Sequence, residues 1–205
     1  MRKFVIKLVL LFFSISTYSQ NSVDSVFDFV LNNYLSNRVQ TKNFYILDRT
    51  YNLSLTNDRL ILEQLKKDSV YTAQPWKNLI SAFDSLNNQE NAINKKNLNY
   101  KFISKKRIRK ELDVSTSENG ITIIDPVHNW KIFQLKHTDC EGIVTLTFPS
   151  VSEDNNEFII YIDFYNASEK GFGDLIFGTK QDNKWIIKKE INCTQNIISR
   201  IVVAD

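Results

Sequence analysis

The sequence predicts an α+β domain: N-terminal helices packed on a curved antiparallel β-sheet, the body of the sheet being a C-terminal meander. Three observations carry that prediction. Apolar residues recur at three- and four-residue steps at Val23, Val26, Phe27, Val30, Leu31 and Tyr34, and again at Trp76, Leu79, Ile80 and Phe83, which is the stripe of an amphipathic helix. Between residues 141 and 193 they recur with a period of two, in four short runs separated by turn-rich segments, which is the mark of strands. Helical patterns also come mostly first and strand patterns mostly last, the order of an α+β domain with one antiparallel sheet.

The chain opens Met1-Arg2-Lys3-Phe4-Val5-Ile6-Lys7, followed by an apolar run over residues 8–13 and the exit Ser14-Ile15-Ser16-Thr17-Tyr18-Ser19-Gln20. A basic start, a short apolar core and a small polar end describe a secretory signal peptide over residues 1–20. The run is shorter than the ~20 residues that span a bilayer, so no membrane span is expected after cleavage. The working protein is expected to be exported, periplasmic or extracellular, with residues 21–205 as a single domain. The formal net charge of +3 belongs to the leader: Arg2, Lys3 and Lys7 take three of the 26 basic residues with them, which leaves the 23 acidic residues matched. A neutral chain has no global attraction for nucleic acid or anionic membrane, and nucleic acid is not an expected partner.

Taken in order, the first helix runs from Ser22, a good N-cap, to about residue 37, with Asp24 complementing the helix dipole. Residues 43–50 are apolar and aromatic, as in a strand. Asn57 or Asp58 starts a short helix carrying Leu60, Ile61 and Leu65, and Pro75 opens the Trp76 helix. Residues 87–99, with six asparagines, read as a mobile loop. Residues 101–112 are basic, and their periodicity does not decide between strand and helix. A polar break at 115–120 precedes two short strands, 121–124 and 130–135, split by an Asp125-Pro126 turn.

The meander strands are 143–148, 158–165, 172–178 and 184–191. In the second, Phe158, Ile160, Ile162 and Phe164 share one face, and Ile159, Tyr161, Asp163 and Tyr165 the other. Gln181-Asp182-Asn183-Lys184 suits a tight hairpin, because Asp and Asn tolerate left-handed backbone. In the fourth, Trp185, Ile187 and Ile191 share a face, and the consecutive Lys188 and Lys189 force one lysine onto that face or its rim. Gly171 and Gly173 around Phe172 suggest a bulge where the third strand begins. Residues 196–203 are apolar again and end the chain as a strand or turn.

Few residues point to chemistry. Cys140 precedes the first meander strand and Cys193 follows the fourth. An even number of strands returns the chain to the same end, so an exported protein with a curled sheet would bridge them, a gain of about 4 kcal/mol. The alternative is two separate buried thiols. Lys95, Lys96, Lys101, Lys105, Lys106, Arg107, Arg109 and Lys110 place eight cations in sixteen positions. That is either a patch for a polyanion or, more commonly, a solvated face balanced by acidic residues elsewhere. His137-Thr138-Asp139-Cys140-Glu141, taken with His128, has the residue types of a thiol nucleophile with its base, or of a metal site. The spacing matches neither, and a charged turn before a strand explains it as well. Asp163 and Asp174 on neighbouring strands are an acid pair of the kind glycoside hydrolysis uses, but nothing singles them out from ordinary strand-edge charges. The chain has no nucleophile elbow, His-Glu-x-x-His, phosphate loop or dinucleotide fingerprint.

The leader ending Tyr18-Ser19-Gln20, the Thr147-Phe148-Pro149 turn before residues 158–164, and Asn183-Lys184-Trp185-Ile186-Ile187-Lys188 together resemble small uncharacterised exported proteins of the Bacteroidetes group. The resemblance implies export and a meander rather than an activity. It also makes Ser25, Ser69 and Ser85, each in an Asp-Ser-aliphatic triplet, candidate O-glycosylation acceptors. The expected function is a non-enzymatic binding or structural module of the periplasm or cell surface, without a cofactor or metal. Its partner would be a protein, glycan or small-molecule ligand. The alternatives are a cell-envelope hydrolase with a site gathered from distant segments, and a polyanion binder through residues 95–110.

Overall fold

The computed structural model describes residues 22–39, 43–52, 76–96, 98–111, 126–166 and 171–193. The leader, the 57–65 helix, Pro75, the 115–120 break, the 121–124 strand and the 196–203 segment lie outside the described residues.

Residues 22–38 form one helix, α1, whose middle, Val30–Leu35, is π-helical and whose last turn is Ser36–Arg38. Its buried residues explain the irregularity. Val23, Phe27, Leu31 and Leu35 repeat at four, as do Val26, Val30 and Tyr34. In an α-helix a four-residue step overshoots a turn by about 40°, so three steps would carry the stripe about 120° round the axis. The wider i→i+5 turn takes up that drift and keeps Tyr34 and Leu35 on the sheet.

The other described helices are α2 (Trp76–Leu86), α3 (Lys105–Glu111) and α4 (Pro126–Lys136). The strands are β1 (Phe44–Leu47), β2 (Lys101–Ile103), β3 (Gly142–Leu146), β4 (Ser150–Val151), β5 (Glu157–Tyr165), β6 (Phe172–Gln181) and β7 (Lys184–Asn192). They make one seven-stranded sheet in the order β2-β1-β3-β5-β6-β7, with β4 pairing β5 beyond the end of β3. From β3 to β7 neighbours are antiparallel, as the meander requires. The expectation of an antiparallel sheet fails at the other edge, because β1 pairs both β2 and β3 in parallel. Parallel neighbours need long crossovers and are covered on both faces, so Phe-Tyr-Ile-Leu is apolar throughout instead of alternating.

Helices cover both faces of the sheet. Phe158, Ile160, Ile162 and Phe164 of β5 pack against α1. Ile159 and Tyr161, pointing the other way, pack with Trp76, Leu79, Ile80 and Phe83 of α2. On that same face Tyr165 and Ile143 join Ile108 of α3 and Trp130 and Phe133 of α4. The 130–135 segment is therefore helix: its apparent alternation gives way to the i, i+3, i+7 spacing of Trp130, Phe133 and His137, all buried.

The asparagine-rich segment is not a free loop. Asn87 is fully buried at the end of α2. Its Nδ2 donates to the carbonyls of Phe83 (2.9 Å) and Phe148 (2.8 Å), and its Oδ1 accepts from the Phe148 N–H at 2.6 Å. It thereby holds the Thr147-Phe148-Pro149 break between β3 and β4. Further on, Ala92 bridges Arg49, and Ile93 and Leu98 enter the core against α1.

Asp182 and Asn183 adopt φ of 51° and 60°, the left-handed pair of a two-residue hairpin turn. The bulge lies in β7, not at Gly171: Gly178 pairs with Ile187 and Phe177 with Lys189, so Lys188 is the extra residue. It reverses the alternation, leaving Trp185 on the α1 face and putting Ile191 on the α2 face. The two consecutive lysines are accommodated without either entering the core.

Candidate ligand groove

A groove of about 540 Å³ lies between α2 and the β4–β5 connection. Asn78, Leu79 and Ala82, neighbours on one helix face, form one wall. Val151, Ser152, Glu153, Asp154 and Asn156 form the other, with Glu157 and Thr179 from the adjoining strands. The connection is built as a closed turn. Asn155 takes a φ of 56°. The Ser152 hydroxyl donates to Asp154 Oδ1 at 2.6 Å and accepts from the N–H groups of Asn156 and Glu157. Asn156 Nδ2 donates to Asp154 Oδ2 at 3.0 Å.

These bonds divide the two carboxylates electrostatically. Hydrogen bonds from Ser152 and Asn156 hold Asp154 below the usual carboxylate range, and both its oxygens are occupied within the turn. Burial, helped by the Asp154 charge and opposed by Lys188, pushes Glu157 up. The Glu157 side chain has no hydrogen-bond donor among the described residues. Among the described residues, the lining contains three acidic side chains and neither lysine nor arginine. An ammonium or guanidinium group seated there would relieve the burial of Glu157 and gain its charge.

The residues singled out in the sequence lie elsewhere. Cys140 and Cys193 are both buried thiols. They sit at the same end of the sheet, as the strand count requires, but β5 and β6 stand between β3 and β7. Three interstrand steps separate them by about 14 Å, twice the reach of a disulfide. The sheet does not curl to close that distance, because β1 occupies the far edge of β3. The Cys140 thiol is pushed up chiefly by burial and donates to the Gly142 carbonyl, so it is not an activated nucleophile.

The basic residues are largely matched. Lys95 meets Asp48 at 3.4 Å, Lys101 pairs with Asp139, Lys105 meets Glu90 at 2.6 Å and Arg107 meets Glu111 at 2.7 Å. Lys96, Lys106 and Lys110 are exposed, and the side chain of Arg109 lies outside those described.

His137 is buried against Phe133, with Nε2 on Glu111 and Nδ1 on the Tyr45 hydroxyl at 3.2 Å. Both ring nitrogens are engaged, which leaves neither to take a proton from a substrate. Asp139 turns to Lys101, and the His128 side chain lies outside those described. Asp163 and Asp174 project from opposite faces of the sheet, since Asp174 pairs with Ile162 and not with Asp163. Ser25 and Ser85 are exposed, the Ser25 hydroxyl accepting from Trp185 Nε1 at 3.1 Å. Ser69 lies outside the described residues.

No protein-family model, curated protein or solved structure matches this chain. The groove residues carry no distinctive signal in the sequence, because Ser-Glu-Asp-Asn-Asn-Glu has the composition of any turn. The available signal was charge: three carboxylates and no cation in six residues.

Proposed function

We propose that this protein is an exported, non-enzymatic binding module that receives a cationic group of its ligand in the groove between α2 and the β4–β5 turn. The observation that carries this reading is Glu157, a half-buried carboxylate facing a groove while Ser152, Asp154 and Asn156 of the turn are bonded to one another. The Leu79, Ala82 and Val151 side chains suit the aliphatic stem of such a group. Export rests on the leader over residues 1–20 and agrees with the Bacteroidetes resemblance; the chain recovered outside the cytoplasm is expected to begin close to Asn21.

The test is an NMR titration with a short lysine-rich peptide as probe. Saturable amide shifts are expected at Asn78, Ser152, Glu157 and Thr179, weakening with salt, and absent from Glu157→Gln and from Ala82→Trp, which fills the groove. Shifts scattered over the surface, or unchanged in both variants, would remove the basis for this reading.

A further inference from the structure

The polar row that begins at Glu157 continues across the sheet. Glu157 pairs with Thr179 of β6, and Thr179 pairs in turn with Ile186 of β7. Residues paired across strands share a face, so the three stand in one row, about 5 Å per step. Trp185 packs on the α1 face, which independently turns its neighbour Ile186 to the α2 face. The next row inward, Ile159 and Phe177, lies beneath α2. The Glu157 row is at the rim of that cover. Glu157 and Thr179 are half-buried and line the groove, and Ile186 is 38% exposed beside it. The Thr179 hydroxyl has no hydrogen-bond partner among the described residues. A carboxylate, a hydroxyl and an aliphatic side chain thus follow one another over about 10 Å.

Taking the groove as the site proposed above for a cationic group, we infer that its ligand is a peptide segment with a large aliphatic residue two positions from a lysine or arginine. The cation meets Glu157 and the aliphatic side chain lies on Ile186. An extended segment sets side chains i and i+2 on one side, about 7 Å apart at their roots. The flexible stem of the cationic residue covers the remaining distance. Backbone amides between the two pass Thr179, whose hydroxyl can donate or accept. Charge fixes which end goes where. Lys184 stands two residues from Ile186 on the same face, opposite Gln181, exposed and without an ion pair among the described residues. A second cation at the Ile186 end would meet that like charge, and an aliphatic group does not. At the other end Lys188 opposes the effect of burial on Glu157 only in part. Among the described residues neither Glu157 nor Lys188 is in an ion pair, so Glu157 stays open to a cation from outside.

The test uses three tripeptides blocked at both ends, Lys-Ala-Leu, Lys-Ala-Ser and Lys-Ala-Lys, each titrated into the chain and followed by amide shifts. Lys-Ala-Leu is expected to bind about tenfold more tightly than Lys-Ala-Ser, the gain from burying part of a leucine side chain, and more tightly than Lys-Ala-Lys. Its shifts should extend to Ile186. Ile186→Ser is expected to abolish the advantage of leucine and leave Lys-Ala-Ser binding as it was. Equal binding of the leucine and serine peptides, or a first rank for Lys-Ala-Lys, overturns the inference on the native chain alone. A leucine preference that survives in Ile186→Ser overturns it as well. In each of these cases the groove reading stands if Glu157→Gln still abolishes binding. If Glu157→Gln leaves all three peptides bound as before, the groove reading falls and this inference falls with it.

Discussion

The ring of Phe158 in β5 lies over Gly178 in β6, in the space that a Cβ at position 178 would occupy. Trp185 of β7 stands edge-on to the same ring, 5.1 Å between centroids. Phe164 covers Gly142 of β3 in the same manner at the other end of β5. The two glycines are bare so that two phenylalanines can lie flat across neighbouring strands. Gly178→Ala is expected to destabilise by about 1–3 kcal/mol, the usual cost of overpacking a core. It should appear as a lower urea midpoint at unchanged slope; no change in midpoint would mean the ring moves aside freely.

Sequence legibility followed the range of the forces involved. The α1 and α2 stripes, the alternation of β5 and the Asp182-Asn183 turn are local, and each forms where its pattern places it. The parallel pairing of β1 with β2 and β3 is non-local and leaves no periodic trace in strands of four and three residues. The role of Asn87 was invisible for the same reason: its partner Phe148 is 61 residues away. The bulge was half visible, since two adjacent lysines cannot both avoid the core in a regular strand. The groove was not visible at all, because its walls are well separated in the chain, Asn78–Ala82 against Val151–Glu157, and only their meeting gives Glu157 its environment.

Arg38 and Asp174 lock the end of α1 to the sheet. Asp174 is fully buried and receives the Tyr34 hydroxyl (2.7 Å), Arg38 (2.8 Å) and Asn192 Nδ2 (3.0 Å). Burial first, and then the hydrogen bond to Asp174, push the Tyr34 hydroxyl far above its ordinary value, so it stays a donor. Arg38→Ala strands that carboxylate without its cation and is expected to cost about 3–5 kcal/mol. Asp174→Asn should cost less, because Arg38 keeps Glu190 and partial access to solvent. Chemical denaturation of the two variants gives the order, and the reverse order would show that Asp174 is not held by Arg38.

Both cysteines should persist as thiols even in oxidising surroundings. Each is buried in a different apolar cluster, Cys140 beside α4 and Cys193 beside α2. Alkylation of the native chain is expected to be slow at both, and alkylation after unfolding without reductant should add two labels. Reductant should leave the thermal midpoint where it was. A chain that takes no label until it is reduced would establish a bridge and require a different closure of the sheet.

Two carboxylates predict opposite responses to pH. Burial pushes Glu111 up, but hydrogen bonds from Arg107 and His137 more than offset it and hold the group below its ordinary value. Its unfolded form therefore binds protons first as pH falls, so its stabilisation is complete above the ordinary glutamate range and is lost as pH drops through the folded value. Glu111→Gln should flatten the acid side of a plot of thermal midpoint against pH. Glu157 is raised, chiefly by burial, so the folded state holds its proton longer. Its contribution is favourable below the ordinary range and is lost as pH rises through the folded value. Glu157→Gln should accordingly be neutral in acid and slightly stabilising at neutral pH, the gain being small because the group is half-exposed. A residue kept at a stability cost is what a binding groove requires. If Glu157→Gln instead lowers the midpoint at neutral pH, Glu157 is a structural partner of the turn and not a ligand contact of the groove.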